Sequence, residues 1–445
     1  MLRAGFAEVD ITPAVGKLMP GGFEPCVTIE PPRGRLKATA MAVQNGEEEL
    51  ILVSVDTLSM SVAFSDKLRE RISRRTKVPV DRILVASTHI HTGGATDYQL
   101  WLCPPDPEVY TLTAEGVYQA AKRAWEKKRE VRVGVGVGEE RRYSFCRDIW
   151  LTDGSLKMNP DRRRRDLMVK PATDPDYAVN VMRVDDTEGE IKAFLVNYAN
   201  HPDCHAKEKS SFSADFPGAL RRNLKRVYGE DVKVLFFNGT AGDINCYDWL
   251  NMTDRSFLGN GKNAPEAIGL GLASTVVQIN ADIDATVGDA HIAAISENLE
   301  LDRRFPSDEM VEWARRVEAN PDDYSGTDRA YALDYISGVE NTPPTIDFEV
   351  QTLRLGPWAI VGLPSEIFTD IGKEIKARSP YPGTIVVELA NGTHGYVATA
   401  LAHEKGVYET KFCAINACTA ADSGARIVKK ALEQLNEMAR KEGLL

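Results

Sequence analysis

Short apolar runs separated by turn residues, with amphipathic stretches at helical spacing between them, divide this chain into strands and helices from end to end. Residues 6–13 alternate apolar and polar side chains and break at a proline, which predicts an edge strand. Residues 36–43 and 49–55 flank the turn Gln44-Asn45-Gly46-Glu47 and predict a hairpin. A helix over 61–76 then leads into the buried strand 83–88. The spacing predicts further helices over 107–128, 215–228, 264–279 and 418–441, and strands over 131–137, 178–184, 191–197, 232–237, 290–301, 348–355, 358–363 and 384–389. Residues 141–175 are polar and irregular, and the charged helical stretch at about 300–345 has the character of an insertion. Strand pairs separated by helices predict an α/β fold of mixed β-sheets flanked by helices. No repeat or flexible linker divides the chain, so residues 1–445 are expected to form one domain.

Composition narrows the class. A net charge of -11 over 445 residues argues against a general nucleic-acid binder. No apolar run reaches the roughly 20 residues of a membrane helix, so no stable membrane anchor is expected. The first residues enter a polar strand pattern without the apolar core of a signal peptide, and the seven scattered cysteines lack CxxC spacing. Both features predict a cytoplasmic protein, with a pairing of Cys413 and Cys418 left open. The run Arg162-Arg163-Arg164-Arg165 is expected to be a solvated loop rather than an anion-holding rim.

The candidate chemistry lies where apolar strands stop. Strand 83–88 ends in His89-Ile90-His91-Thr92-Gly93-Gly94, and side chains two apart on an extended chain point the same way, so both imidazoles can meet one target. A metal is one such target, needing further ligands from elsewhere; a pair of hydrogen-bonded strand histidines is the other reading. Strand 191–197 ends in His201-Pro202-Asp203-Cys204-His205, where His201 is a second candidate and His205 joins it only if a helical turn forms. Strand 232–237 runs into Asn238-Gly239-Thr240-Ala241-Gly242-Asp243-Ile244-Asn245-Cys246, whose backbone donors suit an oxyanion site as readily as an ordinary turn. Glu366, following Pro364-Ser365, reads by itself as a helix cap, and Tyr396 as a half-buried sheet residue.

Taken in order, Asp10-Ile11-Thr12-Pro13, Thr88-His89-Ile90-His91-Thr92-Gly93, Asn200-His201-Pro202, Asp215-Phe216-Pro217-Gly218, Gly242-Asp243-Ile244-Asn245, Leu363-Pro364-Ser365-Glu366-Ile367-Phe368-Thr369 and Gly395-Tyr396-Val397-Ala398-Thr399 span nearly the whole chain. This ordered set resembles the amino-terminal catalytic domain of the neutral (alkaline), non-lysosomal ceramidase family. The resemblance implies a ceramidase-like fold and a single Zn2+ held by His89, His201, Glu366 and Tyr396. It also implies that His91, Arg147 and Asn245 act on the substrate. Two imidazoles and a carboxylate are a familiar catalytic zinc shell, with tyrosine an unusual fourth partner.

The departures from that pattern shape the expectation. The family's loop motif GDxSP carries a serine where this chain has Asn245, and asparagine cannot act as a covalent nucleophile. The family's carboxyl-terminal immunoglobulin-like domain has no counterpart in this shorter sequence. The expected function is therefore zinc-dependent hydrolysis of an amide (N-acyl) bond in a small, soluble acyl substrate rather than membrane ceramide. Esterase or lactonase chemistry, and a non-catalytic metal-stabilised binding protein, are the alternatives. The sequence leaves homo-oligomerisation open.

Overall fold

The computed structural model describes the chain apart from residues 23–25, 98–102, 205–209, 252–263, 284–287, 289, 341 and 415; His205 therefore lies outside the described residues. The layers run helices, sheet, sheet, helices, and the strand sequences dictate this because they are apolar on both faces. Along Lys37–Asn45, Met41 and Val43 enter one core while Ala38, Ala40 and Ala42 enter another. Leu50 and Leu52 alternate with Ile51, Val53 and Val55 in the same way along Glu48–Val55. The core holding Met41 also holds Trp358, Ile360, Ile385 and Val387, so it is the filling between two sheets. Helices Val62–Thr76 and Pro107–Glu126 cover one part of the outer face of the first sheet, and Asp215–Tyr228 and Ala264–Ala281 cover the rest. Helices Thr369–Arg378 and Ser423–Lys441 cover the second sheet.

The first sheet has eight strands in the order Lys233–Asn238, Ile191–Tyr198, Ala178–Asp186, Arg129–Glu139, Arg3–Asp10, Lys37–Asn45, Glu48–Val55, Ile83–Ser87. The second has four: Ile292–Asp302, Thr345–Leu355, Trp358–Gly362 and Gly383–Val387. The outermost pair at each end of the first sheet is parallel, as is the pair Trp358–Gly362 with Gly383–Val387 in the second. Parallel neighbours need a crossover, and helices Val62–Thr76, Asp215–Tyr228 and Thr369–Arg378 provide the three. Loops leaving the carboxyl ends of these parallel strands carry the candidate residues His89, His201, Asn245, Glu366 and Tyr396, the position where open α/β sheets place ligands.

Two expectations are corrected. The amino-terminal strand is not at an edge: Arg3–Asp10 pairs with Lys37–Asn45 along its length and, through Arg3 and Ala4, with Glu130 and Arg129. The irregular region 141–175 contains a small sheet of Asp148–Leu151, Leu156–Met158 and Met168–Pro171. The pairing left open between Cys413 and Cys418 is not made, since no disulfide joins them. Helices Asp308–Ala319 and Gly326–Val339 lie in the chain between the paired strands Ile292–Asp302 and Thr345–Leu355, and they add Ala314, Val317 and Tyr335 to the outer core of the second sheet. The arginines at 162–165 fall in a short 3-10 turn with no buried residue. No helix among the described residues is long and apolar enough to cross a membrane.

Candidate metal and active site

His89 sits two residues beyond the strand Ile83–Ser87 with φ at +67°, a left-handed conformation that costs a non-glycine residue on the order of 1–3 kcal/mol. Several bonds hold it there. Its N–H donates to Thr57 O at 3.0 Å, and the preceding Thr88 N–H donates to Val55 O at 2.9 Å. His89 and His91 thus converge through a turn rather than through the alternation of an extended strand, which corrects the geometric basis of the sequence expectation. His91 N–H donates to Pro202 O at 3.1 Å, tying this turn to the loop that carries His201.

The three rings meet at their Nε2 atoms. His89 Nε2 lies 3.1 Å from His201 Nε2 and 3.4 Å from His91 Nε2, and His91 and His201 are 2.9 Å apart. Nδ1 of His89 faces Leu58 O at 2.9 Å, and Nδ1 of His91 faces Gly21 O at 3.1 Å. Donation from those nitrogens leaves each Nε2 of the neutral ring as a lone pair aimed into the cluster. Converging lone pairs repel one another unless a cation lies among them. Ligand atoms on a sphere of about 2.0–2.1 Å radius around a tetrahedral ion stand roughly 3.3 Å apart, close to the spacing here.

Glu366 completes the same point. Its Oε2 is 3.3 Å from His89 Nε2, buried, and without a hydrogen-bond partner. Burial raises the Glu366 titration, but without an ion a proton on His89, and then the Arg147 charge, outweigh it and hold the carboxyl below its usual range; a cation in the cluster would take the place of that proton. Tyr396 is the register partner of Glu366 in a two-residue parallel ladder, and burial, then the Glu366 charge, push its phenol well above the ordinary value. The polar set therefore fits a divalent cation: three imidazole rings converging at Nε2, one orphaned carboxylate oxygen and a neighbouring phenol.

Arg147 lines the cavity, yet the protein uses its arms. Nε donates to Glu409 Oε1 at 2.7 Å, and Nη2 donates to Gly242 O at 2.6 Å and to the Tyr396 hydroxyl at 3.1 Å. The guanidinium therefore positions Tyr396. The 238–246 loop is similarly committed: Gly242 N–H donates to Ile367 O at 2.9 Å and Ala241 N–H to Glu388 Oε2 at 3.0 Å, so these two donors brace the Glu366 segment and do not form an oxyanion site. A side chain at 242 has no room, since a Cβ there would lie 2.9 Å from Glu366 O. Asn245 is not at the cavity wall: its Nδ2 donates to Asn159 Oδ1 at 3.0 Å and its Oδ1 accepts from Tyr247 N–H, while Asn159 lines the cavity.

Two buried carboxyls escaped the sequence reading. Glu388 Oε2 also accepts from Ile367 N–H at 3.1 Å, and Oε1 accepts from Asn238 Nδ2 at 2.9 Å. Burial pushes its carboxyl up to about 8. The signal for it was a lone carboxylate closing the apolar run Thr384-Ile385-Val386-Val387. Glu409, the Arg147 partner, had no such signal. The cavity in front of these groups measures about 280 Å³, and Leu58, Met158, Asn159, Tyr408 and Asn416 share its wall with the site residues.

Fold and site together define an α/β protein of four layers with a histidine and carboxylate cluster at the ends of parallel strands. No family model and no curated protein sequence matches the chain. Solved structures do: a ceramidase complexed with C2 superposes with a TM-score of 0.76 at 16% identity, covering 99% of this chain and 75% of the other. Neutral ceramidase from Pseudomonas aeruginosa superposes with a TM-score of 0.73, also at 16% identity and with the same coverage. The chain has the neutral ceramidase fold, over about three-quarters of the length of those proteins.

Proposed function

We propose that this protein is a zinc-dependent hydrolase that cleaves the amide bond of a small acyl substrate. The observation that supports this most is the convergence of the buried His89 and His201 Nε2 atoms, 3.1 Å apart, beside the unpartnered Oε2 of Glu366, with His91 Nε2 at their edge. His89, His201, Glu366 and Tyr396 would hold the ion. Zinc bound there supplies a water of lowered pKa and polarisation of an acyl carbonyl.

The chain's own residues do the rest. His91 is the most solvent-facing of the three histidines, with its Nδ1 anchored on Gly21 O, and in this reading its Nε2 takes the proton from the attacking water and passes it to the departing nitrogen. Arg147 neutralises Glu409 and fixes the Tyr396 hydroxyl, and Asn245 fixes Asn159 at the wall. A cavity of about 280 Å³ favours a compact substrate over a two-chain lipid.

Elemental analysis of protein purified without chelators, followed by assay on matched N-acyl amides and esters of short and long acyl chains, tests this reading. One zinc per chain and faster turnover of short-chain amides are expected. Protein that neither contains nor takes up zinc, and hydrolyses no member of the panel, overturns it. Faster turnover of esters moves the assignment to an esterase.

A further inference from the structure

A second cavity of about 680 Å³ lies behind the metal-side loops, between the first turn of helix Val62–Thr76 and the strands of the second sheet. Most of its polar wall is already committed. Arg69 donates to both oxygens of Glu349 at 2.7 and 2.8 Å, to Ile83 O at 3.0 Å and to Val80 O at 3.1 Å, so it is a clamp and has nothing left for a ligand. Asn391 is held between Val85 N–H and Gln351.

Arg303 is different. Its Nη1 reaches the sulfur of Cys418 at 3.3 Å, a weak acceptor, and its Nε is buried with no partner. A guanidinium in a cavity wall with so few acceptors is an under-coordinated carboxylate or phosphate receptor. Around the same cavity stand the carboxylates Asp81, Asp66, which also reaches Arg69 Nη1 at 3.4 Å, and Asp347, which also accepts from Asn298 Nδ2 at 2.8 Å, and each has acceptor positions left. Those acids repel a multiply charged anion such as a phosphate, and Arg303 repels a simple cation. A molecule carrying both charges satisfies both ends.

We infer that this cavity binds a small zwitterion, a free amino acid or short peptide, with its carboxylate on Arg303 and its ammonium among Asp66, Asp81 and Asp347. The site is separate from the metal cavity. It nevertheless touches the same loops, because Pro364 and His394 line it while Glu366, Thr393 and Tyr396 line the other.

Isothermal titration of the full chain with free amino acids and dipeptides, each alongside its N-acetylated and its amidated form, tests the assignment. At least one zwitterion is expected to bind, with both capped forms weaker by about tenfold, the scale of one lost charge-assisted contact. Arg303→Met should weaken binding by about tenfold and the exposed Asp81→Asn by a smaller factor, while His201→Ala, which removes a ring from the other cavity, should leave it intact. The assignment is overturned if no zwitterion binds at millimolar concentration, if a capped form binds as well as its parent, or if Arg303→Met protein with wild-type melting retains full affinity. Loss of binding in His201→Ala also overturns it, by assigning the ligand to the metal cavity.

Discussion

Glu366 and Tyr396 face each other across a parallel ladder only two residues long, Glu366 with Tyr396 and Ile367 with Val397. Each backbone thereby fixes the side chain of the other, and Arg147 adds a bond to the phenol. Glu366→Gln removes a charged donor and is expected to weaken zinc binding by at least about a hundredfold, whereas Tyr396→Phe, losing a weaker partner, should cost about tenfold to a hundredfold. Competition with a chelator of known affinity measures both; equal losses would contradict the ranking.

The left-handed backbone at His89 sets stability against function. His89→Gly should give a metal-free protein at least as stable as wild type, with relief on the order of 1 kcal/mol offsetting lost packing, yet one that retains no zinc. His89→Val should lose both zinc and stability. Thermal melts of chelator-treated proteins separate the two variants.

Arg147 and Glu409 form a buried pair, with side chains 7% and 0% exposed. Arg147→Met leaves Glu409 unpaired and is expected to cost about 3–5 kcal/mol of stability. The double variant Arg147→Met/Glu409→Gln should recover a large part of that loss without recovering activity, because Tyr396 still lacks its donor. A denaturant double-mutant cycle with parallel assays is the measurement.

Glu388 accepts from Ala241 N–H, Ile367 N–H and Asn238 Nδ2. Glu388→Gln sets an amide donor against one of these donors, with an expected cost of about 1–3 kcal/mol. Displacement of the Glu366 segment should also lower zinc affinity by about tenfold to a hundredfold, which a chelator titration reads. A stability loss without an affinity loss would make Glu388 purely structural.

His403, on the helix Ala400–Lys405, adds a pH dependence of its own. Burial, then the charge of Arg304, lowers its imidazole from 6.5 to about 4 in the folded state. The unfolded chain therefore binds the proton first on acidification, so the contribution is whole above pH 6.5 and is lost as pH falls towards 4. The ceiling is about 3 kcal/mol at 1.4 kcal/mol per unit, and partial solvation reduces it. Denaturant melts between pH 7 and 4 should show a shallower decline for His403→Gln than for wild type.

Much of the layer plan was legible because strands buried on both faces read as dense apolar runs, as in Ile83-Leu84-Val85-Ala86 and Val234-Leu235-Phe236-Phe237. Pairing partners were less so. Arg3–Asp10 gains its second neighbour from residues 129 and 130, a contact that no local pattern encodes. The strand-end histidines and Glu366 stood out because polar groups ended apolar runs. The work of Arg147, the retreat of Asn245 behind Asn159 and the bracing by Glu388 depend on tertiary placement and were not legible from residue type. Nor was the turn at His89, since a positive φ at histidine has no sequence signature.

The loops bearing His89 and His201 leave the eight-stranded sheet, whereas those bearing Glu366 and Tyr396 leave the four-stranded one. The cluster thus spans the seam of the sandwich and acts as a gauge of its alignment. A sliding of one sheet over the other by a fraction of an ångström would pull these side chains apart, so packing around Trp358 and Leu353, in the core between the sheets, would set how well the proposed ion is gripped.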